Sequence, residues 1–271
     1  MGTGEVVQTL SVGGVTRSYR LAVPPRYRSG TPAPLVLLYH GSGSDAVQTS
    51  LYTGMPERAA RAGYLVATPD ALGEQWHLST PNAPNPDLAF TSAVLDSLSA
   101  RYCIDPARTY AAGISLGSEF AAIVACAVPN RIAAIGLVAA EFLLRPCTGP
   151  VPAVAFHGTA DPLVAYADGG VGRSLPGIRV RGADENMADW AHLDGCRPKA
   201  STTRVASDVV RRRWRGCARG SSVVLYTVIA GGHTWPGSPV VLPAAVFGPT
   251  THQVDATGLM IRFFGQHSSR R

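Results

Sequence analysis

Between residues 109 and 125 the chain commits itself to a strand, a tight turn and a helix. Thr109-Tyr110-Ala111-Ala112 is apolar, Gly113-Ile114-Ser115-Leu116-Gly117 sets a serine between two glycines, and Phe120 to Ala125 is apolar again. A residue forced into a strained turn needs neighbours without bulk two positions to either side, which glycine at 113 and 117 supplies. With 29 glycines in 271 residues the pentapeptide arises by chance, so its weight comes from the flanking strand and helix patterns. The turn lifts the Ser115 hydroxyl above a sheet edge, where a carbonyl carbon can reach it. The plainer alternative makes Ser115 an ordinary helix N-cap.

A serine hydroxyl attacks only if a base removes its proton, and the base needs an orienting acid. After a nucleophile elbow these follow in the order acid, then histidine. Val151 to Phe156 reads as a strand ending in His157-Gly158-Thr159-Ala160-Asp161, and Val223 to Ile229 as another ending in Gly231-Gly232-His233-Thr234-Trp235. Both polar residues thus fall just beyond strand ends, the edge where sites form in open α/β sheets. Ser115 is the candidate nucleophile, His233 the general base and then acid, and Asp161 the orienting carboxylate. Asp161 also suits a turn before Pro162. His157 is the rival base, but it precedes Asp161, and its His-Gly step reads as strand-end packing. An early buried strand, Pro34 to Tyr39, runs into His40-Gly41-Ser42-Gly43-Ser44. The backbone N–H groups of Ser42 and Leu116 are the candidate oxyanion hole. His40 is placed at the pocket or in the shaping of that loop. His77 is a further pocket candidate, and His192, His252 and His267 are expected on the surface. Trp76 and Trp235 offer flat apolar surfaces to an acyl group, with core packing as the alternative.

The chain is long enough for one α/β domain with an ample core, and 46% hydrophobic against 15% charged residues fits a compact protein. No apolar run approaches the roughly 20 residues of a membrane span, and neither a membrane nor a nucleic-acid partner is expected. The net charge of +6 is nearly all arginine, densest at Arg211-Arg212-Arg213-Trp214-Arg215; so short a cluster reads as a solvated face, with acidic polysaccharide a softer option. Arg270-Arg271 are expected to fray.

Cys196 and Cys217 bracket an irregular hairpin formed by Thr202 to Val205 and Val209 to Trp214, and a disulfide there is the first expectation, contributing about 3 kcal/mol in the chain-entropy model. Cys103, Cys126 and Cys147 fall at the opposite end of the sheet from the site; two of them can pair, with Cys147 as one member, leaving one buried thiol. Five reduced cysteines in a cytosolic enzyme is the alternative. No C-x-x-C or Cys/His cluster points to zinc, and no cofactor is expected. The chain opens Met1-Gly2-Thr3-Gly4 without a basic-apolar signal segment, so a secreted protein would have had its leader removed.

A hairpin around Gly13-Gly14 leads, from Glu5 to Val12 and Thr16 to Val23. A helix is predicted from about Leu51 to Gly63, a strand over Tyr64 to Thr68, and a helix opened by Asn85-Pro86-Asp87 with Phe90, Val94, Leu95, Leu98 and Tyr102 at helical spacing. Asp105-Pro106 is expected to end that unit. Ile132 to Ala140 reads as a buried parallel strand, and Asp184 to Leu193 and Asp255 to Phe264 as helices. The alternation argues for a mostly parallel sheet with helices on both faces: an α/β fold in one domain spanning residues 1–271.

Taken together, His40-Gly41-Ser42-Gly43, Pro69-Asp70 with Trp76, Cys103-Ile104-Asp105-Pro106, the elbow, His157 to Asp161 through Tyr166, Trp190 with Gly195-Cys196, and Gly232 to Gly237 resemble the secreted polyhydroxybutyrate depolymerase and feruloyl esterase group, carbohydrate esterase family 1 type α/β-hydrolases. The resemblance covers most of the chain in order. It implies the α/β-hydrolase fold, an extracellular serine esterase working through Ser115, Asp161 and His233, and the Cys196–Cys217 bridge. Two positions depart from the pattern: the elbow continues Leu116-Gly117-Ser118-Glu119 where small residues or asparagine are usual, and Ser42 stands where cysteine is common. The implied substrate is a small-molecule or oligomeric ester, plant cell-wall or polyester derived, hydrolysed through an acyl-enzyme. A serine peptidase on the same fold and a non-catalytic binding protein are the alternatives.

Overall fold

A computed structural model describes residues 5–78, 84–128, 130–143 and 147–269. Met1 to Gly4 and the terminal Arg270 and Arg271 lie outside the described residues. Among the described residues ten strands form one sheet: β1 Val6–Val12, β2 Val15–Ala22, β3 Ala33–Tyr39, β4 Leu65–Pro69, β5 Ile104–Ile114, β6 Ala134–Val138, β7 Ala153–Gly158, β8 Ser201–Ala206, β9 Val209–Trp214 and β10 Val223–Val228. Their order is β1-β2-β4-β3-β5-β6-β7-β10-β9-β8. The run from β4 to β10 is parallel. The antiparallel hairpins β1–β2 and β8–β9 close the two edges. Because the six central strands point the same way, their C-terminal ends share one rim.

Both faces of the sheet are covered, and the side-chain alternation shows why. In β3, Leu35, Leu37 and Tyr39 join one core while Val36 and Leu38 join the other. The first core packs on α3 Pro86–Arg101, α4 Leu116–Ala127 and α5 Ala183–Leu193 through Phe90, Phe120, Ile123, Met187 and Trp190. The second packs on α1 Ala46–Thr53, α2 Met55–Arg61 and α7 Ala256–Phe264 through Tyr52, Met55, Met260 and Phe264. A short helix, α6 Ala244–Phe247, was not legible in the sequence.

The helix predicted from about Leu51 to Gly63 is instead two, α1 and α2, because the chain turns at Gly54 in the left-handed region and Pro56 restarts the helix in its first turn. Asp105-Pro106 does not end a unit: β5 already begins at Ile104 and carries both residues, with a register irregularity against β3 at Ala33 to Leu35. His267, expected at the surface, is buried, its Nδ1 2.8 Å from the Phe263 carbonyl oxygen; His192 and His252 are exposed. The arginine cluster is not one solvated face either, because Arg211, Arg212 and Arg213 are half-buried in the β9 ladder and Arg212 pairs with Asp184. No helix among the described residues is long and apolar enough to cross a membrane.

Two disulfides are present, Cys196–Cys217 and Cys126–Cys147. Cys103 is free and half-buried rather than a buried thiol. The Cys196–Cys217 bridge ties the base of the β8–β9 hairpin to the end of α5. There Asp194 accepts hydrogen bonds from Val151 N (2.8 Å) and Ser221 Oγ, and its carbonyl accepts one from Ala218 N (2.8 Å). Burial pushes the Asp194 carboxyl up to about 7, against the opposing pull of the hydrogen bonds from Ser221 Oγ and Val151 N. The folded state therefore holds a proton that the unfolded chain has already released at about pH 4, and stability falls as pH rises through the interval up to about 7. Asp194→Asn preserves the shape of the protonated acid. Its Tm is expected to match wild type near pH 4 and to exceed it by several degrees at pH 8, read by differential scanning calorimetry across that range.

Candidate active site

Ser115 sits between β5 and α4 with φ 56° and ψ −127°, a conformation that costs a non-glycine residue on the order of 1–3 kcal/mol. It is held there from two sides. Its N–H donates to the Val138 carbonyl of β6 (2.8 Å), and its carbonyl accepts from Ser118 N (2.8 Å) and Glu119 N (3.1 Å) in α4. Ser118 adds a latch, donating to the Ala140 carbonyl and accepting from Val138 N. The two flanking glycines are required by contact. A Cβ at Gly113 would lie 2.3 Å from the Gly117 backbone, and one at Gly117 would lie 2.3 Å from the Tyr39 carbonyl oxygen. The elbow thus brings α4 against β3 at a distance that no side chain permits.

His233 follows β10 in a loop pinned by the 247–249 segment, with its N–H on the Phe247 carbonyl (2.6 Å) and Gly232 N on the Pro249 carbonyl (2.8 Å). Its Nδ1 is 2.7 Å from Asp161 Oδ2, both side chains being buried. This leaves Nε2 as the ring nitrogen that can take a proton. Asp161, in the loop after β7, receives Leu163 N (2.8 Å) and Val164 N (2.9 Å) on its other oxygen. Burial by itself would raise the Asp161 carboxyl, but hydrogen bonds from His157 and His233 outweigh it and hold the group ionised far below the usual carboxylate range.

Ser115 and His233 line one cavity of about 500 Å³, together with Gly41, Ser42, Gly43 and Ser44 of the loop after β3. Among the described residues, neither the Ser42 nor the Leu116 amide N–H is bonded to a protein acceptor. The wall continues with Leu51, Tyr52, Ile114, Leu163, Val240, Leu242 and Phe247 and with the uncharged polar Gln48, Thr49 and Ser174; among the described residues no lysine, arginine or carboxylate lines it.

Four of the residues expected at the pocket are elsewhere. Trp76 is buried in the first core, stacked on Phe120 and edge-on to Tyr39, and its Nε1 donates to the His40 carbonyl (2.9 Å). Trp235 is fully buried in the second core; its backbone N–H donates to Tyr52 Oη (2.8 Å) and its Nε1 to Thr257 Oγ1 (3.0 Å). Each indole has one polar edge to satisfy and finds its acceptor inside, so neither presents a face to the cavity. His40 is also fully buried. Its Nε2 accepts from Ala71 N (3.0 Å), so Nδ1 donates to the Gly41 carbonyl (2.8 Å), and burial lowers its pKa against the opposing effect of that bond. With Gly43 N on the Glu74 carbonyl (3.1 Å), these contacts make Trp76 and His40 braces of the 41–44 loop. His77 is exposed and bound to Asp87 (2.8 Å), which also pairs with buried Arg17 (2.7 Å).

The sequence missed Glu141. It lies buried just beyond β6, with its carboxylate 2.9 Å from His157 Nδ1. No periodicity or spacing signal marks a carboxylate whose partner is 16 residues away across a neighbouring strand. Glu119, in the first turn of α4, is pushed up to about 7 by burial and by Glu141.

The sequence profile of the family described as Esterase PHB depolymerase matches residues 17–179. The chain belongs to the polyhydroxybutyrate depolymerase family of esterases. It is 32% identical to "Putative esterase NocK" of Nocardia uniformis subsp. tsuyamanensis over 93% of this chain and 80% of that protein. It is 28% identical to "Feruloyl esterase B" of Piromyces equi over 78% of this chain, but spans only 41% of that relative. Acetyl xylan esterase from Aspergillus awamori superposes with a TM-score of 0.65 over 96% of this chain and 99% of that one at 14% identity, which places this esterase in the α/β-hydrolase fold. The chain is a carboxylic ester hydrolase, and its substrate is an ester.

The contact distances make the elbow testable. Gly117→Ala forces a methyl group against the backbone of β3, and such overpacking costs about 1–3 kcal/mol or more. The variant is expected to melt well below wild type and to lose labelling by a fluorophosphonate probe, whereas Ser42→Ala, which alters only a side chain at the candidate oxyanion amide, is expected to retain labelling.

Proposed function

We propose that this esterase cleaves uncharged carboxylic esters through an acyl-enzyme, with Ser115 as nucleophile, His233 as general base and acid, and Asp161 as the group that orients the imidazole. The observation that carries this most is the short His233–Asp161 hydrogen bond, with His233 lining the same cavity as a serine held in a strained elbow. Ser115 Oγ attacks the ester carbonyl carbon while its proton passes to His233 Nε2. The carbonyl oxygen becomes an oxyanion facing the N–H groups of Ser42 and Leu116. The tetrahedral species collapses, the C–O bond breaks, and the alcohol leaves with the proton from His233. Water then attacks the acyl-enzyme by the same route in reverse, releasing the acid and restoring Ser115. Asp161 stays ionised throughout and stabilises the imidazolium.

A wall of aliphatic and aromatic side chains with a few uncharged polar ones, Gln48, Thr49 and Ser174 among them, favours a largely apolar acyl group, as in feruloyl or hydroxyalkanoate esters, and disfavours anionic substrates, which would enter without a counter-charge. Two disulfides support secretion into an oxidising compartment.

Hydrolysis of a p-nitrophenyl acyl ester series, methyl ferulate and hydroxybutyrate oligomers tests the reading. Turnover of at least one class is expected. Ser115→Ala is expected to abolish fluorophosphonate labelling and to lower kcat by about 10⁴-fold or more, and Asp161→Asn to lower it by about 10⁴-fold. Activity confined to peptide amides would favour a peptidase, and absence of both labelling and turnover would favour a binding protein.

A further inference from the structure

His157 is a buried histidine that the proposed triad does not use, and its surroundings are unlike those of an ordinary packed imidazole. It sits at the end of β7 with its side chain 1% exposed. Its Nδ1 is 2.9 and 3.1 Å from the two carboxylate oxygens of Glu141. Its Nε2 is 3.1 Å from the Val164 carbonyl oxygen and 3.3 Å from Asp161 Oδ2. Each polar atom within reach is therefore an oxygen of a carbonyl or a carboxylate. A neutral imidazole carries one N–H, and its other nitrogen would turn a lone pair toward an acceptor in a buried site. The doubly protonated ring satisfies both sides at once.

The charged groups facing His157 are Glu141, from the segment after β6, and Asp161, from the loop after β7. The Tyr166 ring lies perpendicular to the imidazole with centroids 5.5 Å apart, its hydroxyl committed to Asp184 and Thr227. Beyond Glu141 stands Glu119 of α4, and beyond Asp161 stands His233. Desolvation opposes a cation here, and the two carboxylates more than offset it.

We infer that His157 is a positioning residue: a permanent imidazolium, neutralised by Glu141, that grips the same Asp161 oxygen as His233 and withholds part of its negative charge from His233. The inference rests on the triad proposed above. Asp161 Oδ2 is shared, with His233 Nδ1 at 2.7 Å and His157 Nε2 at 3.3 Å. Asp161 can then neither rotate away from His233 nor gain a proton at moderate acidity. With a cation behind the carboxylate, the His233–Asp161 pair releases the proton taken from Ser115 more readily than an isolated pair does. The enzyme therefore stays in its active protonation state to lower pH. Removing the cation leaves the full carboxylate charge on His233, the pair holds its proton more tightly, and activity is lost at higher pH.

Two measurements test this. In wild-type protein labelled with ¹⁵N-histidine, the His157 resonances are expected to show both ring nitrogens protonated from pH 5 to pH 9, while Glu141→Gln makes them titrate within that range. One unprotonated ring nitrogen at pH 7 in wild type overturns the inference. In His157→Gln, the acid limb of the kcat/KM profile is expected to move up by about one pH unit, the order expected for loss of one nearby charge at an effective dielectric of about 20. A fall in amplitude with no shift, or a shift downward, overturns it, since a merely structural role would lower the rate without moving the limb. If His157→Gln does not fold, the wild-type spectrum still decides. If no ester is turned over at all, the triad reading fails, while the charge on His157 is read independently by the spectrum.

Discussion

Backbone contact around Gly113 and Gly117 is what the rest of the site hangs from. At these two positions β5, α4 and β3 meet with no room for a methyl group, and between them Ser115 is bent into a conformation its side chain opposes. The strain persists because the neighbours over-determine it: the Val138 carbonyl holds the Ser115 amide from β6, and Ser118 pins the first turn of α4 to the same strand. Since β3, β5, β6, β7 and β10 are parallel, every loop that supplies a polar group emerges at the rim where this turn stands. The loop after β3 brings Ser42, that after β7 brings Asp161, and that after β10 brings His233.

Around this turn the polar groups form a connected chain, Glu141 to His157 to Asp161 to His233, almost wholly withdrawn from water. Isolated buried charges are costly, and removing one partner of such a chain leaves the next uncompensated. Here the alternation of acid and imidazole satisfies each member through its neighbour, with Leu163 N and Val164 N covering the remaining oxygen of Asp161. The tryptophans serve the same end by a different route. Trp76 fixes the carbonyl that precedes the 41–44 loop, and Trp235 ties the His233 loop to α1 and α7. Both are set in apolar cores, so the backbone they hold is held by packing as well as by hydrogen bonds.

Much of the fold was legible because its signals are local. The elbow announces itself through glycine spacing, the N-cap of α3 through Asn85-Pro86, and the leading and trailing hairpins through turn residues between alternating runs. Where the reading failed, either a local break was overlooked or a distant contact had won. The single helix read near residue 51 breaks because Gly54 takes a left-handed conformation, and Asp105-Pro106 lies within a strand because Ile104 before it pairs with Ala33 and Thr109 after it pairs with Leu35 of β3. His267 is buried because its own carbonyl accepts the hydroxyl of Tyr110, 157 residues away.

Most of the alternation of strands and helices, the serine at the elbow, and the acid and histidine beyond two later strands follow from the sequence by itself, since each depends on steric or turn preferences expressed within a few neighbouring residues; the Cys196–Cys217 bridge was legible from two cysteines bracketing a hairpin. Which side of the sheet a large side chain faces, and how deep it lies, depends on elements far apart in the chain. Only the tertiary structure could therefore place Trp76 and Trp235 in the cores, line the cavity with Leu51, Val240, Leu242 and Phe247, and set Glu141 against His157.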